Sequence, residues 1–183
     1  DCAAGAQYLV DTGRVDPARL GIRGGSAGGF TTLAALTFTD LFTAGASTYG
    51  IGDLAALATD THKFEARYLD TLVAPYPERA DVYQERSPIN HTDQLNAPMI
   101  LLQGLEDRVV PPSQARSMAA AVRAKGLPVA LVEFPGEAHG FRQAATIHAA
   151  YNAELSFYGQ VWGFVPAGDV PVLPIENLGA PAE

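Results

Sequence analysis

The stretch that decides the fold is RLGIRGGSAGGFTTLAAL, at residues 19–36. It begins with a short strand at 19–23, passes through a glycine-dense turn and continues as a helix. The turn fits the pattern G-x-S-x-G, with Gly24 and Gly28 on either side of Ser26. That pattern requires a very sharp strand-to-helix turn, which holds the serine in a strained backbone conformation. The alternatives are a glycine turn that only connects the two elements and one that binds a phosphate.

Short apolar runs alternate with longer helical patterns along the rest of the chain, which is typical of a parallel sheet with crossover helices. The segment 50–96 has mixed helical signals and several prolines, so we expect it to lie outside the sheet. From residue 165 onward we expect an extended or frayed tail. Further strands are predicted at 44–49, 98–103 and 129–134, and helices at 2–10, 113–125 and 146–162.

Two titratable side chains follow the later strands. Asp107 lies in the loop after the third strand, and His139 lies in the loop after the fourth. Because the carboxyl ends of parallel strands converge on one crevice, both should lie near Ser26. The order Ser, Asp, His is that of the α/β-hydrolases. Glu106 is a rival for the acid, but Asp107 is preferred for its spacing from the neighbouring glycine and proline.

Composition excludes several classes of function. Twelve basic and twenty acidic side chains give a net charge of −8, which argues against a nucleic-acid binder. Cys2 is the single cysteine, and the four histidines show no metal-ligand spacing, so we expect neither a metal nor another cofactor. His62, His91 and His148 are predicted to be structural. No apolar run is long enough for a membrane span.

The first residue bears on completeness. The chain begins at Asp1 rather than Met, inside a pattern that is already helical, so we expect a longer protein of which this is a part. We divide it into 1–164, the C-terminal portion of a catalytic domain, and 165–183, a proline-rich tail. No signal peptide is visible, and we expect a cytoplasmic location.

The segments that carry the predicted chemistry also resemble a known family. Residues 24–30, 103–111 and 136–141 resemble the prolyl oligopeptidase family of serine peptidases, most closely its acylaminoacyl-peptidase and dipeptidyl-aminopeptidase-like branch. Residues 61–65 and 85–89 are similar to segments of the same branch. The resemblance runs from residue 1 to about residue 164. It implies a partial α/β-hydrolase fold, the C-terminal portion of a mostly parallel sheet with flanking helices, which normally follows an N-terminal β-propeller.

The resemblance implies a catalytic triad of Ser26, Asp107 and His139. The backbone N–H of Ala27 follows the nucleophile and is predicted to be one oxyanion donor. We also expect Val109 and Val110, which lie directly beyond the acid loop, to line the substrate pocket.

The sequence departs from the family at two positions. Gln103 stands where members usually have His before the glycine, and Val109 stands where many have an Arg that can bind a substrate carbonyl. Arg108 is one residue too early for that role.

The function predicted from these residues is a serine peptidase that releases residues from the N-termini of short peptides. An esterase of the same fold would use the same three residues. A third hypothesis is a truncated product that is catalytically incompetent alone, because a second oxyanion donor would come from upstream of Asp1. The sequence leaves the oligomeric state open.

Overall fold

A computed structural model describes residues 1–60 and 67–179. The centre of the described domain is a sheet of four parallel strands. The strands lie side by side in the order in which they occur along the chain. Their carboxyl ends therefore meet at one edge of the sheet, and the predicted α/β arrangement is confirmed. The strands are β1 (Gly21–Gly25), β2 (Ala44–Thr48), β3 (Met99–Gly104) and β4 (Val129–Phe134).

Helices connect and cover the strands. A 3-10 helix at Pro17–Arg19 delays the start of β1 by two residues relative to the sequence prediction, and a second one, at Pro88–Gln94, precedes β3. The α-helices are α1 (Cys2–Asp11), α2 (Ala27–Phe38), α3 (Leu54–Asp60), α4 (Tyr68–Leu72), α5 (Ala80–Arg86), α6 (Pro112–Ala124) and α7 (Ala144–Trp162).

The central strand β3 shows how the sheet is covered on both faces. All six of its residues are buried. Met99 and Leu101 belong to one apolar core, which α2 and α6 complete. Ile100 and Leu102 belong to a second core on the opposite face, where Phe157 of α7 is fully buried. A strand covered on both faces needs a continuous apolar run, which is why β3 could be predicted from its sequence.

The described parts of the segment between β2 and β3 lie outside the sheet, as predicted. Their apolar side chains, among them Ile51, Leu54, Leu57 and Tyr83, form a cluster with Val110. Because Val110 belongs to the loop after β3, this cluster places α3 and α5 against the carboxyl edge of the sheet.

The tail is extended but is held against the domain as far as residue 177. Glu176 and Val129 exchange backbone hydrogen bonds of 2.9 and 3.0 Å, forming an isolated antiparallel bridge on the outer edge of β4. The Glu176 carboxylate pairs with Arg123 of α6, and Leu173 packs against the core under α7. These contacts keep the described tail from fraying.

Candidate active site

Ser26 occupies the sharp turn between β1 and α2. Its backbone has φ 56° and ψ −120°, a conformation that L-residues adopt only under constraint. Two hydrogen bonds fix it there: the Ser26 N–H donates to the Thr48 carbonyl at 3.0 Å, and the Ser26 carbonyl accepts from the Phe30 N–H at 3.0 Å. The first bond ties the turn to β2 and the second ties it to α2, so the hydroxyl has a fixed position at the sheet edge.

The glycines around Ser26 differ in what they do. A Cβ on Gly24 would lie 2.3 Å from the carbonyl oxygen of Gly28, and a Cβ on Gly29 would lie 2.6 Å from the Cα of Gly50. Both contacts involve backbone, which cannot move aside. A Cβ on Gly28 would meet nothing within 4 Å. The close approach of strand and helix therefore depends on Gly24 and Gly29, whereas Gly28 only supplies backbone.

Asp107 is buried in the loop after β3. Its side chain has no exposed surface. One carboxylate oxygen accepts the N–H groups of Val109 and Val110, both at 2.9 Å. The other lies 2.8 Å from Nδ1 of His139 and 3.4 Å from the side-chain nitrogen of Gln103. These partners hold the carboxylate in one orientation, with one oxygen aimed at the imidazole.

His139 links the acid to the serine. Its Nε2 lies 2.8 Å from Oγ of Ser26, while its Nδ1 faces Asp107. The two loops that bring the acid and the imidazole together are joined by a 2.9 Å hydrogen bond from the Glu106 N–H to the Glu137 carbonyl. The Glu106 side chain itself is exposed. The structure thus brings Ser26, Asp107 and His139 into one hydrogen-bonded chain.

Glu137 is a buried carboxylate that sequence reasoning did not single out. It is 2% exposed, and its two oxygens accept the N–H groups of Arg142 and Gln143, each at 3.0 Å. Burial raises the pKa of Glu137, but those two hydrogen bonds, together with one from the Thr146 side chain and the charge of Arg142, outweigh burial and lower the pKa below its ordinary value. The carboxylate is therefore ionised at neutral pH, and it closes the loop that carries His139. Its only sequence signal was its position two residues before the histidine.

Tyr49 is a second residue that the sequence did not identify. It follows β2 with a positive φ of 39°, and its ring centroid lies 4.9 Å from that of His139. Gly25 leaves room for it, since a Cβ there would come within 2.9 Å of the ring. Burial, followed by the charges of Tyr151 and Asp107, raises the pKa of the Tyr49 phenol, so the hydroxyl stays protonated. The ring thereby supports one side of the imidazole.

Gln103 occupies the position where the family usually has His. It is fully buried at the end of β3, and its amide nitrogen also donates to the carbonyl of Val110 at 3.2 Å. The side-chain oxygen is buried with no partner among the described residues. Gln103 therefore contacts both the carboxylate of Asp107 and the backbone of the acid loop.

An apolar cavity of about 650 Å³ opens beside the serine. The expected pocket residues Val109 and Val110 line it, and Ala27, the exposed first residue of α2, lies at its mouth together with Ser26. Arg108 is not among its lining residues. The remaining lining residues are Phe30, Ile51, Leu54, Leu57, Tyr68, Leu69, Leu72, Val73 and Arg86.

A smaller cavity of about 310 Å³ lies on the α7 side of the turn. Its charged pair was not predicted: the buried carboxylate of Glu154 lies 2.7 Å from Nε of the half-exposed Arg23. The Arg23 guanidinium also lies over the Tyr151 ring, 5.4 Å from its centroid. This pair joins α7 to the middle of β1.

The histidines that were predicted to be structural either lie away from the hydrogen bonds that join Ser26, His139 and Asp107 or fall outside the described residues. Within residues 1–60 and 67–179, His91 contacts Gln94 and His148 contacts Asn152, and neither approaches Ser26. His62 and the family-like segment 61–65 lie outside the described residues. In the part of the chain that the structure describes, no group of three metal-ligating side chains occurs. None of the described helices is long and apolar enough to cross a membrane.

Comparison with curated proteins identifies related sequences. The chain is 33% identical over 159 residues to dipeptidyl aminopeptidase BIII of Pseudoxanthomonas mexicana, a match that covers 84% of this chain and 23% of that protein. It is 31% identical over 166 residues to esterase LipQ of Mycobacterium tuberculosis, covering 81% of this chain and 39% of that one. This chain therefore spans well under half the length of these relatives.

Comparison with solved structures agrees. A puromycin-hydrolysing peptidase of Mycobacterium tuberculosis has a TM-score of 0.92 and is 52% identical, with 96% of this chain and 27% of that chain covered. The α/β-hydrolase fold is therefore confirmed. The sequence pattern of the prolyl oligopeptidase family matches residues 1–164. On its motifs, its fold and this match, the chain belongs to the prolyl oligopeptidase family.

Proposed function

We propose that this chain carries the catalytic residues of a serine peptidase that releases residues from the N-termini of short peptides. The observation that carries the proposal is the pair of 2.8 Å contacts that join Ser26 Oγ to His139 Nε2 and His139 Nδ1 to Asp107. A hydroxyl, an imidazole and a buried carboxylate in that order are the arrangement of nucleophile, base and orienting acid. Membership of the prolyl oligopeptidase family supports the same reaction.

Each residue has a role in the proposed mechanism. Ser26 attacks the scissile carbonyl, and His139 takes the hydroxyl proton and later donates it to the leaving amine. Asp107 holds the imidazole in one tautomer and stabilises the imidazolium. The Ala27 N–H supports the developing oxyanion, because N–H groups in the first turn of a helix have no partner within that helix. The positive end of the α2 dipole favours the same negative charge.

The substrate class rests on the relatives. The similarity to a dipeptidyl aminopeptidase and to a puromycin-hydrolysing peptidase favours an amide substrate. The similarity to esterase LipQ favours a second candidate, an ester hydrolase that would use the same Ser26. Aminoacyl-nitroanilides and short p-nitrophenyl esters, assayed side by side, separate the two: turnover of esters alone would contradict the peptidase.

Labelling by a fluorophosphonate probe tests the nucleophile. In the protein expressed from its complete gene, we expect the probe to label Ser26 and the Ser26→Ala variant to lose both labelling and turnover, by about 10⁶-fold. Ser113→Ala, on the exposed start of α6, is the matched control and should keep both. Labelling that persists in Ser26→Ala, at Ser113 or elsewhere, would contradict the assignment.

Three features of the whole protein stay predictions. An N-terminal β-propeller is implied by the family resemblance, as is a short peptide as the ligand, and a cytoplasmic location follows only from the sequence expectation. The division into 1–164 and 165–183 likewise stays a prediction.

A further inference from the structure

The wall of the cavity beside Ser26 has a single charged group among its described residues. Of the lining side chains, all but a few are apolar, and Arg86 alone carries a charge. Arg86 ends α5, is exposed and lines the cavity, as do the two valines of the acid loop. A lone cation in an apolar wall gives the cavity a polarity that the apolar residues do not supply.

We propose that Arg86 determines specificity by favouring substrate groups that are apolar along their length and end in a carboxylate or another acceptor oxygen, and by rejecting groups that end in a cation. This inference rests on the proposed function, because it assigns the cavity to the substrate residue that precedes the scissile bond. All the favoured groups carry an acceptor oxygen at the end of an apolar group. The test below compares a substrate that ends in a carboxylate with one that has no polar end and one that ends in a cation.

Neighbouring arginines pair with carboxylates, whereas Arg86 has no such pair within the described part of the chain. Arg67 pairs with Asp70 at 2.7 Å, and Arg79 pairs with Asp81 at 2.9 Å. Among residues 1–60 and 67–179, no carboxylate lies within ion-pair distance of the Arg86 guanidinium. Among the described residues, its charge therefore has no carboxylate partner. Because Arg86 is exposed, water screens part of its charge, so we expect a moderate effect on the choice of substrate.

The position of this cation differs from the one that the family pattern predicts. Val109 replaces the usual arginine after the acid and contributes an apolar surface to the cavity, and Arg108 lies outside the lining. The guanidinium at Arg86 thus comes from the helical segment rather than from the acid loop. It therefore contacts a different part of the substrate, the end of a side chain instead of a backbone carbonyl near Ser26.

Three nitroanilide substrates that differ in the para substituent of one phenylalanyl group test the inference: phenylalanyl, 4-carboxyphenylalanyl and 4-(aminomethyl)phenylalanyl. On the protein expressed from its complete gene, we expect kcat/KM to fall in the order carboxylate, unsubstituted, aminomethyl. Arg86→Met, which keeps an apolar stem, should lower the carboxylate-to-aminomethyl ratio about tenfold. Arg86→Lys keeps the charge and should retain most of that ratio. Arg108→Met is the control and should leave it unchanged.

The outcomes are distinct. A ratio that Arg86→Met does not change, or that Arg108→Met changes equally, would overturn the inference while leaving the peptidase intact. If no nitroanilide is turned over, the proposed peptidase activity is wrong, and the inference about Arg86 is then tested by a binding measurement. In that measurement the amides of the three amino acids protect Ser26 from fluorophosphonate labelling. The same order of protection, lost in Arg86→Met, would support it, and equal protection by all three would overturn it.

Discussion

The sheet-edge loops and the helical segment between β2 and β3 contribute to the same site in different ways. At the sheet edge, hydrogen bonds of 2.8–3.0 Å fix the carboxylate of Asp107, the imidazole and the serine turn. In the helical segment, apolar side chains such as Leu54, Leu57 and Leu72 line the cavity and offer a ligand packing contacts rather than hydrogen bonds. We infer that the loops set the rate of the chemical step and that the helical segment sets substrate affinity.

Among the variants that follow, the largest effect is expected in the sheet-edge loops. Asp107→Asn should lower kcat about 10⁴-fold, because an amide favours the wrong tautomer of His139 while the turn keeps its shape. Steady-state kinetics measure the fall in kcat, and a thermal melt shows whether the variant keeps its stability. Glu106→Gln is the matched control, since that side chain is exposed and should leave kcat unchanged. A large loss in Glu106→Gln with little in Asp107→Asn would show that the acid is misassigned.

The next test concerns the glycine turn. Gly24→Ala should lower kcat about 100-fold and destabilise the domain by about 1–3 kcal/mol, because the new Cβ would overlap the Gly28 carbonyl and displace Ser26. Gly28→Ala is its control: the added methyl meets nothing within 4 Å and should leave the melting temperature unchanged. Equal losses in the two variants would mean that the close approach at Gly24 is not what holds the turn.

A variant of Glu137 tests whether a residue that touches no reacting atom still affects the chemical step, as the sheet-edge loops do. Glu137→Gln leaves one N–H of the His139 loop without its acceptor, which weakens the contact that holds this loop. We expect kcat to fall about tenfold with KM unchanged, and Glu133→Gln on β4 to change neither. A rise in KM at constant kcat would place Glu137 with substrate binding instead.

The same residue gives a pH dependence. The pKa of Glu137 is lower in the folded protein than its ordinary value of 4.5, so the stability it contributes is fully present above that value. It is lost as the pH falls through the lowered folded pKa. Thermal melts in acid should therefore show a steeper loss of stability in the wild type than in Glu137→Gln, and parallel curves would contradict this.

The smallest effect tests the apolar wall. Leu72 lines the cavity and is 58% exposed, so Leu72→Ala removes contact with substrate without removing core. We expect KM for a phenylalanyl substrate to rise about threefold, with kcat and the melting temperature unchanged. Leu155→Ala, 39% exposed on α7 and outside the cavity lining, is the control. A fall in kcat would contradict the inference that the cavity wall affects substrate affinity and not the chemical step.

The two halves of the site also differ in how well the sequence predicted them. The positions of Ser26, Asp107 and His139 at strand ends could be predicted, because a buried parallel strand is a local apolar run and the loop after it follows directly. The contacts of Glu137 and Tyr49 could not. Each depends on a loop conformation, a backbone hydrogen-bond pattern in one case and a positive φ in the other, and neither leaves a periodic signal in the sequence.

The sequence by itself determined the alternation of strands and helices, the parallel sheet, the glycine turn and the family, because these depend on residue type and spacing along a short stretch. Only the tertiary structure decided which wall of the cavity carries the charge of Arg86 and how the tail lies against β4. Those features join residues far apart in the chain. The physical reason is that packing and the dielectric environment depend on the distance between atoms in the folded domain, which local pattern does not specify.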